Sequence, residues 1–132
     1  MGHFRRNQTT LTAILAAYDR LVEVGIGRRT DVAAALAERG CTVTATDIYD
    51  RDVPEGVRFV RDDIVDPEPS IYADAGAIYA RNLPPELHRP ARDVAWESCA
   101  DLLFTTLGGD QPAIPVEQRT IETGTLYLSQ RP

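Results

Sequence analysis

Between residues 21 and 107 the chain alternates short apolar runs with stretches of helical spacing, a pattern that few architectures can accommodate. Residues 21–24, 42–46, 57–60, 75–80 and 102–107 read as strands, the last a near-continuous apolar run of the kind buried on both faces of a parallel sheet. Thr30 and Asp31 are placed to cap a helix whose Val32, Ala33, Ala35 and Leu36 offer a small-residue face and which ends at Gly40. Pro84 and Pro85 suit the start of a second helix carrying Leu87, Ala91, Val94 and Ala95, with Pro90 expected to kink or restart it. Trp96 is expected in the core, a base-stacking platform with Arg92 being the alternative; His88, Arg89 and Arg92 read as a group that attracts an anionic substrate or, equally, as an exposed helix face. Leu11, Ile14, Leu15 and Tyr18 predict an amphipathic helix over residues 7–18. Residues 110–119 read as loop and 123–129 as a last strand near the edge.

The economical fold is α/β: a Rossmann-like three-layer αβα sandwich with a mostly parallel sheet, order 3-2-1-4-5, and a short extra C-terminal strand. With 132 residues and 43% hydrophobic content, residues 1–132 are expected to form one domain with an N-terminal amphipathic helix.

Charge narrows the function. All 14 basic residues are arginine, against 20 acidic residues, for a net charge of -6. An acidic, self-repelling surface keeps a protein soluble in concentrated salt, which points to a halophilic setting; simple bias toward arginine is the alternative. Nonspecific nucleic-acid binding is not indicated, because that affinity comes from neutralising phosphates. Cys41 and Cys99 read as small buried residues; with His3 and His88 isolated, no metal site is expected. The apolar segment after Arg5 and Arg6 is too short for a signal peptide or a membrane span, so the expectation is a cytoplasmic protein.

The chemistry gathers at the strand ends. Val22-Glu23-Val24-Gly25-Ile26-Gly27-Arg28-Arg29-Thr30 runs from a strand through two glycines into a helix start. Gly25 permits the tight turn, and Gly27 removes a side chain so that backbone can approach a ligand. Asp47 closes the next strand, where a carboxylate can accept from both ribose hydroxyls of a nucleotide. Glycines kept only for conformation and a solvated turn aspartate are the plain alternatives.

These residues resemble the first two motifs of class I S-adenosylmethionine-dependent methyltransferases. The resemblance covers roughly residues 20–107. It implies that Glu23, Gly25 and Gly27 lie beside the methionine part of the cofactor, that Asp47 holds the ribose, and that Ile48 lies beside the adenine. Arg29 stands where the family has its third glycine, and a cation there weakens binding of a sulfonium unless it points outward or pairs with Glu23. Phe59-Val60-Arg61-Asp62-Asp63-Ile64 resembles the third motif, with Asp63 and Ile64 implied at the adenine. In Arg81-Asn82-Leu83-Pro84-Pro85-Glu86, Leu83 and Glu86 depart from the family's acceptor motif; Arg81 and Asn82 are candidates to line the acceptor site, and catalytic residues are not identified. The compact length, the glycine-arginine-arginine turn and the Asn-Leu-Pro-Pro-Glu segment also resemble a small, uncharacterised archaeal branch of this family.

Three functions follow as expectations. The first is an S-adenosylmethionine-binding domain, a minimal methyltransferase whose acceptor surface comes from a partner protein or a second copy in a homodimer. The second is a non-catalytic Rossmann-like interaction module. The third is a domain for a phosphate-bearing nucleotide such as NAD, for which Arg28 and Arg29 would neighbour the pyrophosphate, although Thr30 replaces the last fingerprint glycine.

Overall fold

The apolar runs become the middle of a sheet because neither of their faces can be given to water. The computed structural model describes residues 9–132. Its strands are β1 (Arg20–Val24), β2 (Thr42–Asp47), β3 (Val57–Arg61), β4 (Ala77–Ala80), β5 (Asp101–Phe104), β6 (Glu117–Ile121) and β7 (Gly124–Ser129). They form one sheet in the order β3-β2-β1-β4-β5-β7-β6. The first five are parallel in the expected 3-2-1-4-5 order, and β7 is antiparallel to both β5 and β6.

The helices are α1 (Leu11–Leu15), α2 (Asp31–Glu38), α3 (Pro69–Tyr72) and α4 (His88–Glu97). Side chains alternate across each strand, so neighbours in sequence enter different cores. Val22, Ile78, Leu102 and Phe104 join Ala91 and Ala95 of α4, while Leu21, Ala77, Tyr79 and Leu103 join Leu15 of α1 and Leu36 of α2. Helix α1 is shorter than its amphipathic pattern; Asn7 and Gln8, where that pattern begins, lie outside the described residues.

Several expectations are corrected. The C-terminal addition is a hairpin of two strands rather than one extra strand, with β7 near the edge as expected, between β5 and the outermost β6. Strand β6 has the sequence EQRTI and only Ile121 is buried, so the outermost strand carries almost no hydrophobic signal and reads as loop. Strand β5 stops at Phe104, leaving Leu107 exposed beyond the sheet. Pro90 falls in the first turn of α4, where a missing N–H breaks no intrahelical bond, so the helix neither kinks nor restarts there. The preceding residues Pro85–Leu87 form a 3-10 turn.

His88 is fully buried. Its Nδ1 accepts from the Ala113 N–H at 3.0 Å, so Nε2 carries the proton and donates to the Leu83 carbonyl at 2.9 Å. Trp96, by contrast, is 37% exposed, with the Arg92 guanidinium 4.9 Å from its ring centroid.

The cysteines are not both buried: Cys41 is half-buried and Cys99 exposed. Helices α2 and α4 end in the same way, each through a residue of positive φ, Gly40 at 91° and Cys99 at 57°. The residue after each turns its N–H back, Cys41 to the Leu36 carbonyl at 3.1 Å and Ala100 to the Ala95 carbonyl at 2.8 Å. That ending favours glycine, and Cys99 occupies it against its steric preference. Cys99→Gly is therefore expected to raise the unfolding free energy by about 1 kcal/mol, measured as a higher urea midpoint with an unchanged slope.

Candidate functional site

Five parallel strands present their carboxyl ends on one side of the sheet, and the sequence-predicted residues lie around these ends. Gly25 and Gly27 have φ of 68° and 58°, the left-handed region that glycine enters at no steric cost. A β-carbon added at either would meet no atom within 4 Å, so the turn borders open space. The turn is tied to the next strand twice. The Ile26 N–H donates to the Thr46 carbonyl at 3.0 Å, and the Gly27 N–H donates to Asp47 Oδ2 at 2.8 Å.

Asp47 is only 7% exposed, and its other oxygen, Oδ1, accepts from the Tyr49 N–H at 3.0 Å. Arg51 Nε lies 3.4 Å from Oδ2. An ionised carboxylate offers about four acceptor positions, so the two backbone bonds leave about two for a ligand. Ile48, next in sequence, is 50% exposed.

The third motif is arranged differently. Asp63 is exposed and its Oδ1 accepts from the Val65 N–H at 2.9 Å, closing a local turn. Asp62 is occupied by the protein: Oδ1 accepts from the Glu68 N–H at 3.0 Å and Oδ2 from the Tyr72 hydroxyl at 2.5 Å. Ile64 is 5% exposed and packs in the core with Tyr72 and Val94.

Glu23 is the unusual group, since a carboxyl 1% exposed stands inside the sheet. Parallel pairing sets Glu23 beside Tyr79, and the Tyr79 hydroxyl donates to Glu23 Oε1 at 2.7 Å. Burial pushes the Glu23 carboxyl up to about 7, opposed by the Tyr79 hydrogen bond and by the charges of Arg81 and Arg29. Burial and the adjoining Glu23 charge hold the Tyr79 phenol far above its ordinary range, so it acts as a donor.

Beyond the ends of β4 and β5 lies a cavity of about 660 Å³ whose lining includes Arg29, Asp31, Arg81, Asn82, Thr105 and Thr106. Its far wall is the turn of the β6–β7 hairpin at Glu122 and Thr123. Arg81 Nη1 pairs with Asp31 Oδ1 at 2.8 Å, and that hydrogen bond holds the Asp31 carboxyl below its ordinary value. Asn82 has φ of 55° and its N–H donates to Thr105 Oγ1 at 2.9 Å. Oriented by its hydrogen bonds, the Asn82 side chain accepts from Arg29 Nη1 at 3.2 Å and donates to the Thr106 carbonyl at 3.3 Å.

The structure thus joins Gly27 to Asp47, and Arg81 and Asn82 to one cavity wall. Glu23, Asp47, Ile48 and Asp63 do not line that cavity. Sequence reasoning missed Tyr79, Thr105 and Thr106. Only Tyr79 had a signal, because parallel register between the first and fourth strands sets it beside the one acid in an apolar run.

Among the described residues no helix is long and apolar enough to cross a membrane.

Comparison with known proteins agrees with this architecture. An RNA methyltransferase from Salinibacter ruber, solved with S-adenosyl-L-homocysteine, superposes with a TM-score of 0.63 at 17% identity, covering 92% of this chain and 88% of that one. A 1,6-didemethyltoxoflavin-N1-methyltransferase from Burkholderia thailandensis, solved with bound 1,6-didemethyltoxoflavin and S-adenosylhomocysteine, gives a TM-score of 0.53 at 20% identity, over 91% of this chain and 59% of that one. Both likenesses are of fold. In sequence, a UPF0146 protein of Halobacterium salinarum is 57% identical over 122 residues, 92% of this chain and 95% of its own, and its source fits the acidic, lysine-free composition. A UPF0146 protein of Archaeoglobus fulgidus is 47% identical over 91 residues, 69% of this chain and 70% of its own. The model of the Uncharacterised protein family (UPF0146) matches residues 6–131, and the chain belongs to that family, whose relatives here are archaeal and whose fold is that of S-adenosylmethionine-dependent methyltransferases.

Proposed function

We propose that this chain is an S-adenosylmethionine-binding domain that serves as a minimal methyltransferase core. One observation carries the reading: the Gly27 amide and the Asp47 carboxylate meet at 2.8 Å, joining the glycine turn to the acid at the end of the second strand. Asp47 would take the ribose hydroxyls on its remaining acceptor positions, with Ile48 and Asp63 beside the base. Gly25 and Gly27 would let the ligand lie against backbone, with Glu23 beneath the turn on the side of the methionine part.

The cofactor supplies a methyl group on a sulfonium. The chain's own task is alignment, which by itself lowers the barrier of a bimolecular transfer. Arg81 and Asn82 would border the acceptor, on a single domain completed by a partner protein or a second copy.

Calorimetry in concentrated KCl tests the assignment. S-adenosylhomocysteine is expected to bind with a micromolar Kd and to raise the melting temperature as its concentration exceeds that value. Stabilisation by NAD or ATP alone would move the assignment to a phosphate-bearing nucleotide. Stabilisation by none of the three would leave an interaction module.

A further inference from the structure

The cavity beyond β4 and β5 holds two guanidinium groups that are not equivalent. Arg81 is neutralised by Asp31, and its side chain is the more enclosed of that pair, 11% exposed against 71%. Arg29 has no carboxylate within 4.0 Å among the described residues, and its side-chain partner is the neutral oxygen of Asn82 at 3.2 Å. Glu23 feels the charge of Arg29 but makes no ion pair with it, being enclosed and bonded to Tyr79. A guanidinium with one neutral partner keeps most of its five donors free, in the fork that matches an acid group.

The surroundings suit the same ligand. Thr105 and Thr106 place hydroxyls on the wall, and Val32 brings the first turn of α2 to it, where Thr30 makes no side-chain cap. Asn82 is fixed in its left-handed conformation by Thr105 Oγ1, and the Leu83 N–H is tied to the Thr105 carbonyl at 2.9 Å, so the wall facing Arg29 is set before any ligand arrives. The cavity of about 660 Å³ is lined by Arg29 and Arg81 against Asp31 and Glu122, on a chain of net charge -6, so it suits a single small acid group held at Arg29 over an extended polyanion.

We propose that this cavity binds the acid group, carboxylate or phosphate, of a ligand separate from the nucleoside, and that Arg29 pairs with it by exchanging the Asn82 amide for the anion. This rests on the reading above in one respect, that the acid-bearing ligand is the acceptor. The binding claim stands on the cavity alone. It also gives a role to the arginine that replaces the third glycine of the methyltransferase turn.

The test is an NMR titration of the full chain with inorganic phosphate, and separately with acetate, at constant ionic strength. Each is run with the free protein and with protein saturated in S-adenosylhomocysteine. The Asn82 side-chain amide and the Thr105 and Thr106 backbone amides are expected to shift saturably in both states. Arg29→Gln should weaken binding at least about tenfold, as loss of a charge-assisted fork requires. Arg39→Gln, at the opposite end of α2, should leave it within about twofold.

Absence of a saturable shift, or an unchanged Kd in Arg29→Gln, would overturn the proposal. So would exclusion of phosphate by S-adenosylhomocysteine but not by 5′-methylthioadenosine, since Arg29 would then hold the nucleoside's own acidic tail. If S-adenosylhomocysteine does not bind, the proposed function falls, while the titration of free protein still decides the anion site.

Discussion

Asp47→Ala is expected to lower the unfolding free energy by about 3 kcal/mol and to weaken S-adenosylhomocysteine binding by about 100-fold or more. The stability loss comes from two backbone donors, the N–H groups of Gly27 and Tyr49, which lose a charged acceptor at 2.8 and 3.0 Å. Arg51 loses its ion-pair partner as well. The affinity loss comes from the two remaining acceptor positions, each worth about 1.5–3 kcal/mol to a ribose hydroxyl when the acceptor is charged. Urea unfolding measures the first effect, and calorimetry below the variant's melting range the second. A folded variant that binds within about threefold of the parent would remove Asp47 from the nucleoside site and the cofactor assignment with it.

The second large effect is a dependence on pH. Glu23 has a folded value of about 7, raised first by burial, so the folded chain holds this proton more tightly than the unfolded chain does. The stability it contributes is fully present below the unfolded value and is lost as pH rises through about 7. Over that interval the loss amounts to about 3 kcal/mol. Glu23→Gln keeps an oxygen to accept from Tyr79 and cannot ionise. The stability of this variant relative to the parent should therefore rise by about 3 kcal/mol between about pH 4 and about pH 8, other acids cancelling in the difference. A difference that stays constant across this range would show that Glu23 is not held in a desolvating site.

How much of the site could be read from sequence depended on whether a residue's surroundings were local. Gly25 and Gly27 followed a strand and preceded a helix, and their positive φ values follow from that order alone. Asp47 ended the neighbouring strand, and parallel pairing of β1 with β2 carries it to the turn. Asp62 and Asp63 show the limit: the resemblance singles out Asp63, but nothing in two adjacent acids tells that Asp62 is engaged by Tyr72 and Glu68 while Asp63 is exposed. His88 shows it again, because it is enclosed by Phe104 and by the Ala113 backbone from distant parts of the chain. Its helical neighbours Arg89 and Arg92 suggested an exposed face.

By itself the sequence determined the parallel order of the first five strands, the glycine turn and the acid beyond the second strand, since period, apolar runs and backbone sterics act over a few residues. Tertiary structure alone decided that the polar strand β6 adds to the sheet, and that Tyr79 and Glu23 share a proton-sensitive contact. It also decided that Arg29 and Asn82 meet on the lining of one cavity. These depend on which strands become neighbours and on what water is excluded from, and neither is a property of any short stretch of chain.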